Sequence, residues 1–405
     1  MHNGLTGVKV ILIGLYMTAC APLQTPQNLE PVAIGEGYQA QYREPPSMRQ
    51  RNPIQQIVPS ETSAEMNTGT CKPFAGGRTR AAAALRGERL SRNDLLDIRI
   101  AEDETFSGGY VISRDGQVKL PFLKPIPAQG RTTGQIEADI ISALLAEAFY
   151  DDPPRVSVRV ADFASVSVGV SGAVFEPHIV EIGGVQGADL DGRRQDALGA
   201  STEARNLSAA LRAVGGVRPD ADISAVRLKR GTQVYTLDMR GAFEGQNAVD
   251  VMLLTGDDIS IPSRDCFQDT LMRPGPISPP GVSLYLSNLT QPVQGNASAA
   301  IGQTVREVPY GTRFLQAVID SNCVGGARAT SAARSALLFS RNPVNGVSLV
   351  IERDIEGLLR RADRDDFDPY LLPGDALACY DSQVTDVAEI ARILGIVGAV
   401  SLSGI

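Results

Sequence analysis

The chain has 405 residues, with 38 Lys and Arg against 46 Asp and Glu, a net charge of −8, two His and no Trp. That acidic balance argues against nucleic acid or an anionic lipid surface as the main partner, and the length gives room for roughly two to four small domains. A nucleophile-and-base triad would have to use His178 in Phe175-Glu176-Pro177-His178, which reads as a strand-linking turn. One such imidazole is too few for a His-based metal site. Carboxylates are plentiful enough for a glycosidase-type pair, but only 5% of residues are aromatic, and tight sugar binding leans on aromatic faces. No catalytic residue, cofactor or metal is expected.

Residues 1–19 read as a secretory signal: Lys9, the apolar run Val10 to Met17, and the small exit Thr18-Ala19. The run falls short of the about 20 residues a membrane span needs. Met17-Thr18-Ala19-Cys20 resembles the lipobox of bacterial lipoproteins, with Met17 where Leu is usual. The resemblance implies an acylated Cys20. Ala21 in place of the aspartate that retains such proteins in the inner membrane implies the outer one. An ordinary cleaved signal beside a coincidental cysteine is the alternative. Residues 20–84 read as a tether, because Pro22, Pro26, Pro31, Pro45, Pro46, Pro53 and Pro59 interrupt any regular element, although a proline-rich strand of it can lie along the body's surface.

A compact domain spans 85–163. Leu95 to Ile100 alternates as a strand, and Gly109–Ser113 and Gln117–Leu120 read as a hairpin around Arg114-Asp115-Gly116. Asp-Gly favours a tight turn whose central residues take positive φ, and Pro121 ends the second strand. Thr132-Thr133-Gly134-Gln135 has the capping-box pattern. It opens a helix with Ile136, Ile140, Ile141, Leu144, Leu145 and Ala148 on one face, a core face, stopped by Asp152-Pro153-Pro154. Val156, Val158 and Val160 form the next strand.

Y-V-I-S-R-D-G-Q-V-K-L-P-F, from Tyr110 to Phe122, resembles the D-G-x-[IV]-x-[LV]-P signature of the polysaccharide-export domain. The residues carrying it are Asp115, Gly116 and Pro121. Gly130-Arg131-Thr132 before the helix and Asp152-Pro153 before the strand match that domain's next landmarks. One departure is Arg92-Asn93-Asp94, where the family usually has Pro-Gly-Asp. The chain is thus identified as a member of the outer-membrane polysaccharide export lipoproteins.

The second half repeats itself. Leu207 to Val214 reads as a helix before Gly215-Gly216, followed by strands Ile223–Leu228 and Val234–Asp238 and a closing Gly256-Asp257 before Ile259. Phe314–Val318, Gly325-Gly326, Ala336–Ser340, Val347–Glu352 and Gly374-Asp375 repeat the order, lengthened by Asp354 to Asp366. Val166–Val174 and Ser283–Leu286 open the copies. Each copy, 164–265 and 266–381, resembles the β-grasp SLBB modules of that family, which imply stacked rings in preference to separate ligand pockets. The expected fold class is α+β, multidomain: an export domain, two β-grasp-like SLBB repeats and a C-terminal membrane helix.

Besides Cys20 there are Cys71, Cys266, Cys323 and Cys379, an even number that allows three pairings in an oxidising compartment. Cys266 and Cys379 sit at equivalent places after each repeat's last strand, so pairing within a repeat favours Cys323–Cys379 and leaves Cys71–Cys266. Buried free thiols are the alternative. In 382–405, Asp386, Glu389 and Arg392 share one helical side, and no charge follows Arg392. The family implies a pore helix there, with Gly395 and Ala399 at close contacts, in a homo-oligomeric ring of about eight subunits. Its implied partners are the polysaccharide, an inner-membrane co-polymerase and the outer membrane. Against this stand a helix folded back on the last repeat, a periplasmic scaffold without a pore, and a lipid-anchored glycan hydrolase.

Overall fold

The computed structural model describes residues 71–77, 82–183, 203–246, 249–288, 305–321, 323, 335–344, 346, 348–360 and 368–380. The expected signal, Cys20, Gly325, Gly326 and the segment 382–405 with Asp386, Glu389, Arg392, Gly395 and Ala399 lie outside the described residues. Among the described residues no helix is long and apolar enough to cross a membrane.

Three hydrophobic cores follow one another along the chain. The first is built on an antiparallel sheet in which β1 (Leu95–Ile100) lies between β2 (Asp103–Val111) and β5 (Val156–Asp162). Alternation along β1 sends Leu96, Ile98 and Ile100 into the core. A two-stranded ribbon, β3 (Gln117–Val118) and β4 (Ile126–Pro127), lies between β2 and helix α1 (Thr133–Ala146) in the chain. At the start of α1 the Gln135 amide donates to Thr132 Oγ1 at 3.4 Å, while Gln135 Oε1 accepts from the Thr132 amide at 3.0 Å. That capping box satisfies two amides that a helix start leaves free. Ile136, Ile140 and Leu144, spaced by one turn, are fully buried.

Two local readings of this part are corrected. The reversal at Asp115-Gly116 is a three-residue loop, with the Gly116 amide donating to Ser113 O and the Ser113 amide to Gln117 O, both at 2.9 Å. Only Gly116 is left-handed, at φ 76°, so a bulge completes the turn, and β3 pairs with β4 while β2 pairs with β1. The helix also ends before Asp152. Ala148 adopts φ 58°, and the amides of Ala148 and Phe149 donate to Leu145 O and Leu144 O, the bonds of a Schellman cap. Ala148 is therefore exposed and does not extend the core face, and Pro153 sits exposed in the connection to β5.

The second and third cores share one topology. In the first of these units, β6 (Val166–Gly172), β7 (Ile179–Ile182), β8 (Val226–Arg230), β9 (Gln233–Leu237) and β10 (Asp258–Ile261) form a sheet of order β7-β6-β10-β8-β9. Helix α2 (Leu207–Ala213) buries Leu207, Ala210 and Leu211 in its core, and a short α3 (Gly241–Glu244) follows β9. In the second unit, β11 (Val282–Asn288), β12 (Val305–Val308), β13 (Ser335–Arg341), β14 (Ser348–Asp354) and β15 (Ala376–Tyr380) take the order β12-β11-β15-β13-β14. Its helices are α4 (Phe314–Asp320) and α5 (Ile355–Arg360). In both sheets the first and last strands run parallel at the centre and the other neighbours are antiparallel. Strand β8 starts later than Ile223 because Asp222 turns the chain. Its Oδ1 accepts from the Ser224 amide at 3.1 Å and its carbonyl from the Ala225 amide at 3.2 Å.

Both favoured disulfides are present, with Cα–Cα distances of 5.0 Å for Cys71–Cys266 and 6.0 Å for Cys323–Cys379. The two C-terminal members are not equivalent, however: Cys379 lies within β15, whereas Cys266 lies in the connection after β10. Residues 71–77 lie along the first repeat, where the disulfide fastens them. The Lys72 amide donates to Arg264 O at 3.0 Å, the Ala75 amide to Asp222 Oδ2 at 2.8 Å, and Phe74 lies 3.7 Å from the Arg264 guanidinium carbon.

Candidate functional site

Three buried aspartates mark the places where a central strand begins. Asp94 precedes β1, Asp257 immediately precedes β10, and Asp375 immediately precedes β15. Each closes the same turn. The carboxylate Oδ2 accepts from the amide three residues earlier: Ser91 at 2.7 Å, Leu254 at 2.9 Å and Leu372 at 2.9 Å. The Asp amide returns a bond to the carbonyl of that same residue, at 3.3, 3.1 and 3.1 Å. The residue before the aspartate is left-handed each time: Asn93 at φ 69°, Gly256 at 89° and Gly374 at 87°. Glycine enters that region without steric cost, and asparagine is one of the few other residues that tolerates it. The departure at Arg92-Asn93-Asp94 thus keeps the turn that Pro-Gly-Asp would make.

What differs is the partner of the remaining carboxylate oxygen. Asp375 accepts from Ser340 Oγ. Asp257 takes a two-pronged contact from Arg230, Nε to Oδ1 at 2.9 Å and Nη2 to Oδ2 at 2.6 Å. Asp94 reaches out of its own core to Arg205, whose Nη1 donates at 2.7 Å, and both side chains are fully buried. Burial pushes the Asp94 carboxyl above the usual carboxylate range, against the pull of Arg205 and of the Ser91 and Ala164 amides.

Arg205 is the pivot of a joint between the export-type domain and the first repeat. Its Nη1 also donates to Ala164 O at 3.3 Å, its guanidinium carbon lies 5.1 Å from the Phe163 ring centroid, and its carbonyl accepts from the Leu253 amide at 2.8 Å. Its Nη2 is buried without a hydrogen-bond partner. Around it the Thr255 amide donates to Ser91 Oγ at 3.1 Å, and Met252 packs into the export-type core. A second joint links the repeats: the Val217 amide donates to Ile277 O at 3.0 Å, and Arg218 Nη1 to Pro343 O at 2.7 Å. Gly216 presses so close that a Cβ there would stand 2.3 Å from Pro279 N. Gly215 and Gly216 are both left-handed, at φ 75° and 81°.

The remaining motif residues hold the export-type domain together. The Gly130 amide donates to Leu90 O at 2.7 Å, the Leu90 amide to Arg131 O at 2.9 Å, and Thr132 caps α1. Pro121 begins the exposed reversal between β3 and β4. His178 is exposed, its Nδ1 2.6 Å from Glu176 O. Among the described residues no three His, Cys, Asp or Glu side chains gather as a metal site. A shallow depression of about 410 Å³ in the second repeat is lined by Arg313, Gln316, Ile319, Asp368 and Tyr370. Arg313 lies over the Tyr370 ring at 4.1 Å and donates to Asp368 O at 3.0 Å.

Sequence reasoning missed Arg205 and Arg230 altogether. The signal for Asp94 was present, since Asn93-Asp94 before an alternating strand is a third instance of Gly256-Asp257 and Gly374-Asp375. Nothing local marks Arg205, whose partner lies far away in the chain.

Residues 82–161 match the family described as polysaccharide biosynthesis/export protein. That stretch is thus similar to the export domain of the outer-membrane polysaccharide export family, and the named relatives support the same family. Over 185 residues it is 29% identical to the EPS I polysaccharide export outer membrane protein EpsA of Ralstonia nicotianae, covering 44% of this chain and 43% of that one. The Ralstonia solanacearum protein of the same name is 28% identical over the same length. The exopolysaccharide production protein ExoF of Rhizobium meliloti is 33% identical over 100 residues, 22% of this chain and 23% of that one. The chain spans less than half the length of the curated relatives it matches.

Proposed function

We propose that this chain is a lipid-anchored, non-enzymatic subunit of an oligomeric conduit that carries an extracellular or capsular polysaccharide across the periplasm and outer membrane. The match of residues 82–161 to the export family carries the reading, and the outer-membrane export relatives support the destination. On this reading 85–163 is the export domain, 164–265 and 266–381 are SLBB-type modules, and Cys20 holds the lipid. The segment 382–405 enters the membrane, and an inner-membrane co-polymerase delivers the glycan. Rigid joints suit such a part: a wall that conducts a polymer has to keep its units in register, and buried polar pairs favour one register over others.

The test is the mass of the detergent-extracted, lipidated protein by size-exclusion chromatography with light scattering. A discrete assembly of many subunits is expected. A monomer at every concentration would overturn the conduit.

A further inference from the structure

An exposed aromatic pair stands on the export domain, where two loops meet. Phe122, in the loop between β3 and β4, is 76% exposed, and Phe149, just past α1, is 44% exposed. Their ring centroids lie 6.4 Å apart, and Phe149 is steadied from below by the edge of Phe106 at 5.2 Å. Both loops are held in costly backbone. Phe122 has φ 60°, and Ala148, which aims Phe149, has φ 58°. A left-handed backbone is unfavourable for any residue other than glycine, and such strain persists where the surroundings enforce it, commonly at working sites. Lys124 Nζ and Glu147 Oε1, 3.4 Å apart, bridge the two loops, and Tyr150 Oη donates to Asp103 beside them.

We propose that Phe122 and Phe149 form a stacking platform for sugar rings of a glycan chain, a deeper reading that rests on the export function proposed above. Aromatic faces pack against the C–H faces of pyranose rings, and charged groups such as Lys124 and Glu147 at the rim can take the hydroxyls. Burying the pair against a second copy of the chain fits less well. Two partly exposed rings fall far short of the about 800 Å² per partner that a stable protein interface buries, and Lys124 at the rim is almost wholly exposed.

The test is affinity electrophoresis of the full-length, detergent-solubilised protein in native gels containing extracellular polysaccharide purified from the producing cells, with dextran as the control. Retardation by the polysaccharide is expected for the unmodified protein. The double variant Phe122→Leu/Phe149→Leu keeps apolar bulk but loses the aromatic faces, and its apparent affinity should fall about tenfold, the loss of one good aromatic contact. Phe122→Tyr/Phe149→Tyr should bind nearly as the unmodified protein does. Equal retardation of the Leu variant, or no retardation of any form, would overturn the platform. So would a Leu variant whose assembly mass drops while its glycan binding persists, since that marks a contact between copies. An assembly of full mass that ignores the glycan sinks the platform and leaves the conduit standing, whereas a monomer sinks the conduit itself.

Discussion

The two five-stranded sheets have one strand order and the same closing turn, but the faces they turn away from their helices differ in chemistry. In the first sheet Asp258 lies opposite Lys229, and Ser260 opposite Arg227. Both basic residues and Asp258 are exposed. At the equivalent places of the second sheet Ala376 lies opposite Phe339 and Ala378 opposite Leu337. Leu337 and Ala378 are buried although their neighbours Ala336, Leu338, Leu377 and Cys379 are the ones that point into the core. Where β13 meets β15, the second sheet is therefore apolar on both sides. In the turns, Arg230 stands on Asp257 and the Ser340 hydroxyl on Asp375. What stays constant is the backbone requirement, a left-handed residue and a carboxylate that ties the turn. What varies is how that carboxylate is neutralised, and the variation should be measurable.

The largest effect belongs to the turn whose partner comes from another unit. Arg205→Met should cost about 3–5 kcal/mol of stability in denaturant unfolding, because it leaves a buried carboxylate without its counter-charge. A double-mutant cycle with Asp94→Leu should recover much of the loss. The pH dependence has a sign. With the folded Asp94 carboxyl raised by burial above its ordinary value, the native state holds that proton longer than the unfolded chain does. Its contribution is full below the unfolded value and is lost as pH rises through the folded one. The stability difference between the protein and Asp94→Asn should therefore be most favourable to the native carboxyl at the acid end and shrink toward neutrality. A difference that grew with pH would show that Arg205, not burial, dominates this carboxyl.

Next in size is the contrast between the repeats. Asp257→Ala strands the Arg230 guanidinium in a half-buried site and should cost about 3 kcal/mol, since hydrogen bonds to charged groups contribute about 1.5–3 kcal/mol. Asp375→Ala removes the bonds it accepts from the Ser340 hydroxyl and the Leu372 amide, and the loss of these two should cost about 1–2 kcal/mol. Equal losses in matched unfolding experiments would mean that the turn's own amide bond carries the stability and that the differing partners are incidental.

Much of this was legible in the residues, for a physical reason. Leu95–Ile100, the capped helix from Thr133 and both repeats announce themselves through local periodicity and caps, and these determine local structure directly. The pairing of β3 with β4, the end of α1 at a left-handed Ala148 and the Asp94–Arg205 contact depend on what the chain meets after it folds. The disulfides sit between these cases: the compartment and the count narrowed them to three pairings, and the repeat narrowed them further. Phe122 was read as the end of a motif, and nothing in its neighbours foretold that its ring would face outward.

The smallest effect tests the constant part of the comparison. Asn93 occupies the left-handed position that glycine fills in the other two turns, at φ 69° against 89° and 87°. If the turns are the same device, Asn93→Gly should be close to neutral or stabilising by a few tenths of a kcal/mol. Glycine relieves strain in the folded state but gains freedom in the unfolded chain, and for asparagine the two nearly cancel. The reverse exchange is asymmetric. Gly374 has open space where a Cβ would go, so Gly374→Ala adds only the backbone penalty and should cost about 1 kcal/mol, while Gly374→Asn should cost less. Thermal unfolding of the three variants beside the unmodified protein would place Gly level with or above Asn at 93 and order Gly, Asn, Ala at 374. If alanine were tolerated at 374 as well as asparagine, the backbone conformation would not be what the repeated turn conserves, and the buried carboxylate alone would have to explain it.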